Sequence, residues 1–220
     1  MANKTKSAIG QLDLIPRQIA VLASGVIHLP NFLLLSEQSE LVVALRKWTE
    51  GGWYTPAMPN GVSMVHPLAC LGYRWKPYGY FAARSPLPGE LINLAVLALT
   101  QARSEEYLPY FPQTAIVNFF PVGASLGMHQ DRSEAEELIQ QGRPIVTLSL
   151  GDSAIFRLGN INDKGLPWQD IELRSGDALI MAGYSRLAYH GVMKILPGTA
   201  PADLDMKTGR ISVTLREVHS

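Results

Sequence analysis

The apolar positions of the chain fall into two textures, helical spacing in the first half and short alternating runs in the second. A polar tail opens the chain, followed by apolar runs at 19–23 and 32–35 that Pro16, Gly25 and Pro30 interrupt. Ser36 offers an N-cap to a helix in which Leu41, Leu45 and Trp48 recur at i, i+4 and i+7, and Gly51-Gly52 stops it. Residues 53–88 are rich in turns, with Pro56, Pro59, Pro67, Pro77, Pro86 and Pro88 set among aromatic segments. A second helix is expected over about 89–107, bounded by Pro88 and Pro109, with Leu91, Leu94, Ala95, Ala98 and Ala102 on one face. Beyond Pro112, β-like runs follow at 114–120, 145–150, 154–158, 171–173, 178–181 and 210–218, several joined by turns such as Gly151-Asp152 and Ser175-Gly176-Asp177. This order predicts an α+β, mainly β fold, a sandwich, barrel or jelly roll backed by helices in a single domain over 1–220.

Composition narrows the classes. Hydrophobic residues make up 47% of 220, which excludes a disordered chain. Nineteen Lys and Arg balance nineteen Asp and Glu. That argues against a uniformly basic nucleic-acid binder and leaves any such binding to a local patch. Cys70 is the single cysteine, so no intramolecular disulfide forms. A reducing compartment and a small buried hydrophobe are the expectations for it. No apolar stretch follows the N-terminal lysines and none approaches 18 residues, so the expected setting is cytoplasmic, with no membrane partner.

The candidate chemistry begins at His129-Gln130-Asp131. On a strand, residues i and i+2 point the same way, so this pair can offer a nitrogen and an oxygen to one ion. With five histidines and nineteen acids such pairs arise by chance, and a hydrogen-bonded pair at a strand end is the plainer reading. A third ligand is available in His190, whereas His28 and His66 precede the β-rich half and His219 lies beside the C-terminus. Two histidines and one carboxylate form the facial triad of non-haem Fe(II) oxygenases, although zinc is also compatible. In the last strand Arg210, Ser212, Thr214 and Arg216 share one face and Ile211, Val213 and Leu215 the other. The arginines, ~20 Å apart along the strand, could clasp a short dicarboxylate, or the face could simply meet solvent.

His129-x-Asp131, His190 and Arg210-x5-Arg216 occur in an order and spacing that resemble AlkB-like Fe(II)/2-oxoglutarate-dependent dioxygenases. Asn118-Phe119-Phe120-Pro121 leading through Gly123, Ala124 and Leu126 into the metal motif is similar to that family's approach to it. The runs from Pro144 to Gly151, from Ala154 to Phe156, and from Ser185 to Gly191 extend the resemblance, which covers about 60–217. It implies a double-stranded β-helix (jelly roll) core over about 113–218. An N-terminal extension and helices occupy about 1–112, including a nucleotide-recognition lid at about 53–88. It implies Fe(II) on the catalytic set His129, Asp131 and His190, and Arg210 on the distal carboxylate of 2-oxoglutarate. Arg216 would lie near the chelating end or orient Asp131, with Asn118, Thr147, Ser212 and Leu126 completing the co-substrate set.

The implied activity consumes O2 and 2-oxoglutarate, gives succinate and CO2, and hydroxylates an N-methyl group that then leaves as formaldehyde. The implied partners are alkylated single- or double-stranded DNA or RNA, carrying lesions of the N1-methyladenine and N3-methylcytosine type. A monomer is expected, in the cytoplasm or at the nucleoid of a bacterium. In the lid, Tyr73 or Trp75 would stack on the base and Tyr80 would contact the backbone, and outside it Arg186 would cover the substrate or pair with an acid. Three departures stand out. Phe120 replaces a common tyrosine, Ser212 a common asparagine, and Ser133 an acid that reaches toward the base. Glu134 or Glu136 could compensate, or begin a short acidic surface helix. The competing functions are a 2-oxoglutarate oxygenase acting on a protein or small molecule, and a non-catalytic jelly-roll binding module.

Overall fold

The computed structural model describes residues 16–57, 61, 63–77 and 79–219. The polar tail and Pro59 lie outside the described residues. Among the described residues, twelve strands form two antiparallel sheets. The larger has eight strands: β1 (Ala20–Ala23), β2 (Val26–Leu29), β10 (Ala178–Met181), β7 (Ile145–Gly151), β12 (Arg210–Arg216), β5 (Thr114–Phe120), β3 (Leu68–Lys76) and β4 (Gly79–Ser85), in that spatial order. The smaller runs β6 (Leu126–His129), β11 (His190–Leu196), β8 (Ser153–Leu158) and β9 (Gln169–Leu173).

Period-two alternation decides what each face of the large sheet meets. Val146, Leu148, Leu150, Val213, Leu215, Ala115 and Val117 point outward, where α1 (Leu35–Trp48) and α2 (Gly89–Gln101) bury Leu41, Val42, Leu45, Leu91, Ala95 and Leu99 against them. The inner face meets the small sheet through two apolar clusters. One joins Val26, Leu179 and Met181 to Phe156, Leu158 and Leu173, and the other joins Phe120 and Ala124 to Ala154, Val192 and Ile195. Between them the inner face is polar, because Thr147 and Ser149 of β7 pair with Thr214 and Ser212 of β12, which pair with Ile116 and Asn118 of β5. All seven residues of β12 are buried, so its polar face lines the interior and does not meet solvent.

Several element boundaries differ from the sequence expectation. Helix α1 starts at Leu35, because Glu37 caps it by accepting the Leu34 N–H at 2.7 Å, and Ser36 lies in its first turn. Helix α2 ends at Gln101, since Arg103 takes a left-handed φ of 54° before a 3-10 turn at Glu105–Tyr107. The run at 32–35 leads into α1 as a loop whose Phe32 and Leu33 join the core. The turn-rich 53–88 segment contains the β3–β4 hairpin, joined to the main sheet by β3–β5 pairing from Leu68↔Asn118 to Gly72↔Thr114. The strand argued for His129 and Asp131 exists as β6 but ends at His129, leaving Asp131 beyond it, and β11, which begins at His190, was not among the expected runs.

Candidate metal centre and co-substrate pocket

His129 ends β6 and His190 begins β11, and the two residues pair across the strands. Asp131, two residues past the strand end, completes a group whose ligand atoms all lie within 4.8 Å of one another. Asp131 Oδ1 is 3.7 Å from His129 Nε2, and its Oδ2 is 3.6 Å from His190 Nε2. Each imidazole holds Nδ1 2.9 Å from the carbonyl two residues before it, Gly127 for His129 and Ala188 for His190. A carbonyl only accepts, so both Nδ1 atoms carry the proton and both Nε2 lone pairs face the Asp131 carboxylate. Burial, together with the charge of His129, lowers His190 to about 4, which leaves it neutral and ready to ligate at neutral pH. Burial opposes ionisation of Asp131, but Arg216 foremost and the two histidines hold its carboxyl well below the usual range. Two Nε2 atoms and an ionised carboxylate on one face suit Fe(II).

Behind the triad lies a buried charge cluster. Arg216 donates Nη2 to Asp131 Oδ2 at 2.8 Å and Nη1 to Glu134 Oε1 at 2.9 Å. Glu134 also accepts from Arg186 Nη2 at 2.7 Å and from the Tyr80 hydroxyl at 2.8 Å. Arg186 bonds the Asp131 carbonyl with its remaining Nη.

Four expectations are corrected here. Arg216 is consumed by Asp131 and Glu134, so it orients the carboxylate and leaves no two-arginine clasp. Arg186 is 2% exposed and faces the back of the metal ligand, so it does not cover a substrate. The Tyr80 hydroxyl is turned inward on Glu134 and not toward a nucleic-acid backbone. Glu134 is buried ahead of α3 (Glu136–Gln140), so it begins no surface helix. Glu134 was singled out beside Ser133, but nothing in the spacing signalled its partners, which come from β4, β12 and the segment before β11.

Arg210 sits at the other end of β12, 1% exposed. It donates Nη2 to Ser149 Oγ at 2.7 Å and Nη1 to the Leu173 carbonyl at 3.3 Å, while its Nε has no partner among the described residues. Burial lowers its pKa to about 10, partly offset by the more distant Asp177. A buried guanidinium bonded to no carboxylate suits an incoming one. A cavity of about 670 Å³ is lined by Asn118, Leu126, Trp75, Ser133, His129, Asp131 and Arg216 from the expected set, and by Met64, Leu68, Ile116, Gln130 and Tyr189. Exposed Arg132 and Lys164 also line it and were missed in the sequence. Trp75 Nε1 donates to Ser133 Oγ at 3.1 Å. Thr147 and Ser212 share the polar inner face, the former 3.4 Å from Thr214 Oγ1. Tyr73 packs edge-on against His219 at 4.9 Å and is not part of this cavity. Cys70 is half-buried, and burial pushes its thiol up, against the opposing contacts of the Tyr54 hydroxyl and Trp75 N–H.

Fold and site together define a jelly-roll protein built around a two-histidine, one-carboxylate centre. The profile of the 2OG-Fe(II) oxygenase superfamily matches residues 25–216. An alpha-ketoglutarate-dependent dioxygenase AlkB homolog of Caulobacter vibrioides is 34% identical over 200 residues, covering 87% of this chain and 86% of that protein. ALKBH1D of Arabidopsis thaliana, named a DNA N(6)-methyladenine demethylase, is 33% identical over 221 residues, covering 89% of this chain and 50% of that protein. The solved structure of OsALKBH1 superposes with a TM-score of 0.82 at 30% identity, over 91% of this chain and 100% of that one. The chain belongs to the 2OG-Fe(II) oxygenase superfamily, as an AlkB-like member. It spans about half the length of Arabidopsis relatives it matches. No helix among the described residues is long and apolar enough to cross a membrane.

Proposed function

We propose that the chain is an oxidative demethylase of N-alkylated nucleobases in DNA or RNA, with bases of the N1-methyladenine and N3-methylcytosine type as its first substrates. The observation that carries this reading is the cavity, which is lined by His129 and Asp131 of the metal-ligand set, by the half-buried Trp75 indole, and by exposed Arg132 and Lys164. An indole offers a stacking face to an extruded base, and two exposed cations offer partners to its flanking phosphates.

His129 and His190 through Nε2, with the Asp131 carboxylate, would hold Fe(II), and Arg210 would anchor 2-oxoglutarate by a carboxylate. When bound there, iron and co-substrate supply the oxidising power that hydroxylates the N-methyl carbon, with succinate and CO2 as co-products. The N-hydroxymethyl group formed on the base then breaks its C–N bond, leaving the electron pair on nitrogen and releasing formaldehyde, with the hydroxyl proton lost to solvent from a cationic base or passed to nitrogen in N6-methyladenine. The chain's own part is positional. Arg216 holds one oxygen of Asp131, the backbone carbonyls hold both imidazoles in the ligating tautomer, and Trp75, fixed by Ser133, would place the base.

A second reading is favoured by one observation. Asp131 is the only carboxylate among the described residues lining the cavity, and Arg216 already occupies it. A cationic base such as N1-methyladenine therefore meets no free acid there, whereas neutral N6-methyladenine needs none. The experiment is to load the protein with Fe(II) anaerobically and supply 2-oxoglutarate and O2. Oligonucleotides carrying each of the three lesions are then compared by formaldehyde and succinate release, with His129→Ala as control. Formaldehyde from the cationic lesions supports the first reading, and formaldehyde from N6-methyladenine alone supports the second. Succinate without formaldehyde from any oligonucleotide assigns the oxygenase to a protein or small molecule. Neither product from iron-loaded protein leaves a non-catalytic binding module.

A further inference from the structure

One buried polar side chain beside the site is explained by neither the metal centre nor the Glu134 cluster. His66 is 1% exposed, and neither ring nitrogen closes a hydrogen bond with any described residue. Buried polar atoms in folded chains are satisfied as a rule, so an orphaned imidazole calls for an explanation. Its position supplies one.

The pairing Leu68↔Asn118, extended by two residues, sets His66 across from Phe120, and the two rings lie 4.1 Å apart at 34°. Phe120 in turn pairs with Arg210 on β12. One row across the inner face therefore reads His66, Phe120, Arg210. Its two polar members each have nitrogen without a partner among the described residues, and the ring between them has no hydroxyl to offer. In the next row the Asn118 side chain lies beside the His66 ring, without closing a bond of ordinary geometry, and it lines the cavity. Arg216, which serves the metal ligand, is six residues from Arg210 along β12, so the row that holds His66 crosses β12 at the end away from Arg216, while the His129 imidazole is near enough to the ring to lower its pKa.

We propose that His66 is a co-substrate-binding residue whose ring N–H donates to the carboxylate of 2-oxoglutarate remote from the metal, sharing that carboxylate with Arg210. A carboxylate has about four acceptor positions, and Arg210 with one free Nε cannot fill them. Burial keeps His66 neutral, with Asn118 opposing and His129 reinforcing, so it adds a donor beside Arg210 without adding a like charge. The Phe120 face fixes the ring, so little side-chain freedom is lost on binding. The inference rests on the oxygenase reading above, since it takes 2-oxoglutarate as the ligand.

The test is calorimetric titration of 2-oxoglutarate into the anaerobic Fe(II)-loaded full chain, for wild type, His66→Phe and His66→Gln. A hydrogen bond to a charged carboxylate predicts binding on the order of 10- to 100-fold weaker in His66→Phe, partly restored in His66→Gln, which keeps an N–H. The deficit should vanish when the ligand is 2-oxobutanoate, which has no remote carboxylate. The ligand-free His66→Phe protein should melt no lower than wild type, because no internal bond is lost. A purely structural histidine would give the reverse, a lower melting temperature with unchanged 2-oxoglutarate affinity, and that result overturns the proposal. An equal loss for 2-oxobutanoate also overturns it. Should His66→Phe not fold, His66→Gln decides, since affinity no better than that of Arg210→Met would refute donation. Wild-type protein that binds no 2-oxoglutarate would overturn the oxygenase reading itself, and so is distinguishable from failure of this inference alone.

Discussion

Glu134→Gln isolates the charge cluster that aims Asp131, because it changes charge while keeping shape. The native carboxylate accepts from two guanidinium groups and one phenol, with its side chain fully buried. The amide keeps one oxygen and turns an NH2 group toward a donor. At least one charge-assisted bond is lost, and Arg186 and Arg216 then share Asp131 as their nearest countercharge. Breaking a buried ion pair from one side costs about 3–5 kcal/mol, because the partner charge stays buried and uncompensated. For a chain of this size 1 kcal/mol moves the melting temperature by about 2–4 °C, so the expected fall is about 6–20 °C at pH 7 in calorimetry of the metal-free protein. Arg216 would also hold Asp131 less firmly. Changes behind a ligand typically cost about 10- to 100-fold in metal affinity, to be read by competition with a chelator. A variant that melts within about 2 °C of wild type and binds metal equally well would refute the view that Glu134 sustains the site.

Asp177 accepts from both Nη atoms of Arg17, from His28 and from the backbone N–H groups of Asn31 and Arg174. Burial opposes its ionisation but these bonds win, lowering its pKa to about 2. A depressed folded-state value means that its contribution of about 2 kcal/mol is fully present above about pH 4 and lost as pH falls through about 2. Asp177→Asn should therefore melt lower at pH 7 and lose less than wild type on acidification, as followed by circular dichroism. Trp75→Ala should raise the KM for a methylated oligonucleotide by about 10- to 100-fold, the worth of one stacking contact, with 2-oxoglutarate affinity unchanged. An unaltered KM would place the base elsewhere.

The alternating patterns of β5, β7 and β12 were legible because a strand buried between two layers must repeat with period two, whatever its neighbours. The metal ligands were legible for a related reason. Their chemistry limits the residue types, but a His-x-Asp pair also arises by chance, and it was the order of His129-x-Asp131, His190 and the two arginines, shared with a known family, that singled the three out. Element ends were less legible, since Glu37 took over a cap that Ser36 could have supplied, and Arg103 turned left-handed where the apolar spacing allowed more helix. Among the residues expected at the substrate, Tyr73 packs against His219 and Tyr80 turns inward on Glu134, while Arg186 takes the second of the two roles open to it and pairs with that acid. An aromatic or an arginine near a substrate pattern reads the same whether it faces the ligand or the core.

By itself, then, the order of residues determined which faces are apolar and that Arg210 and Arg216 share a face, while the three candidate metal ligands stood out through the family resemblance. Only the tertiary structure decided that these two arginines have different partners. Glu134, close to Asp131 in the chain, meets Tyr80, Arg186 and Arg216 from three distant segments and neutralises one end of β12. At the other end no carboxylate among the described residues bonds Arg210, and His66 has no hydrogen-bond partner among them beside Phe120. Electrostatic role depends on distance and burial, and those follow from packing between layers, which no spacing along a single strand encodes.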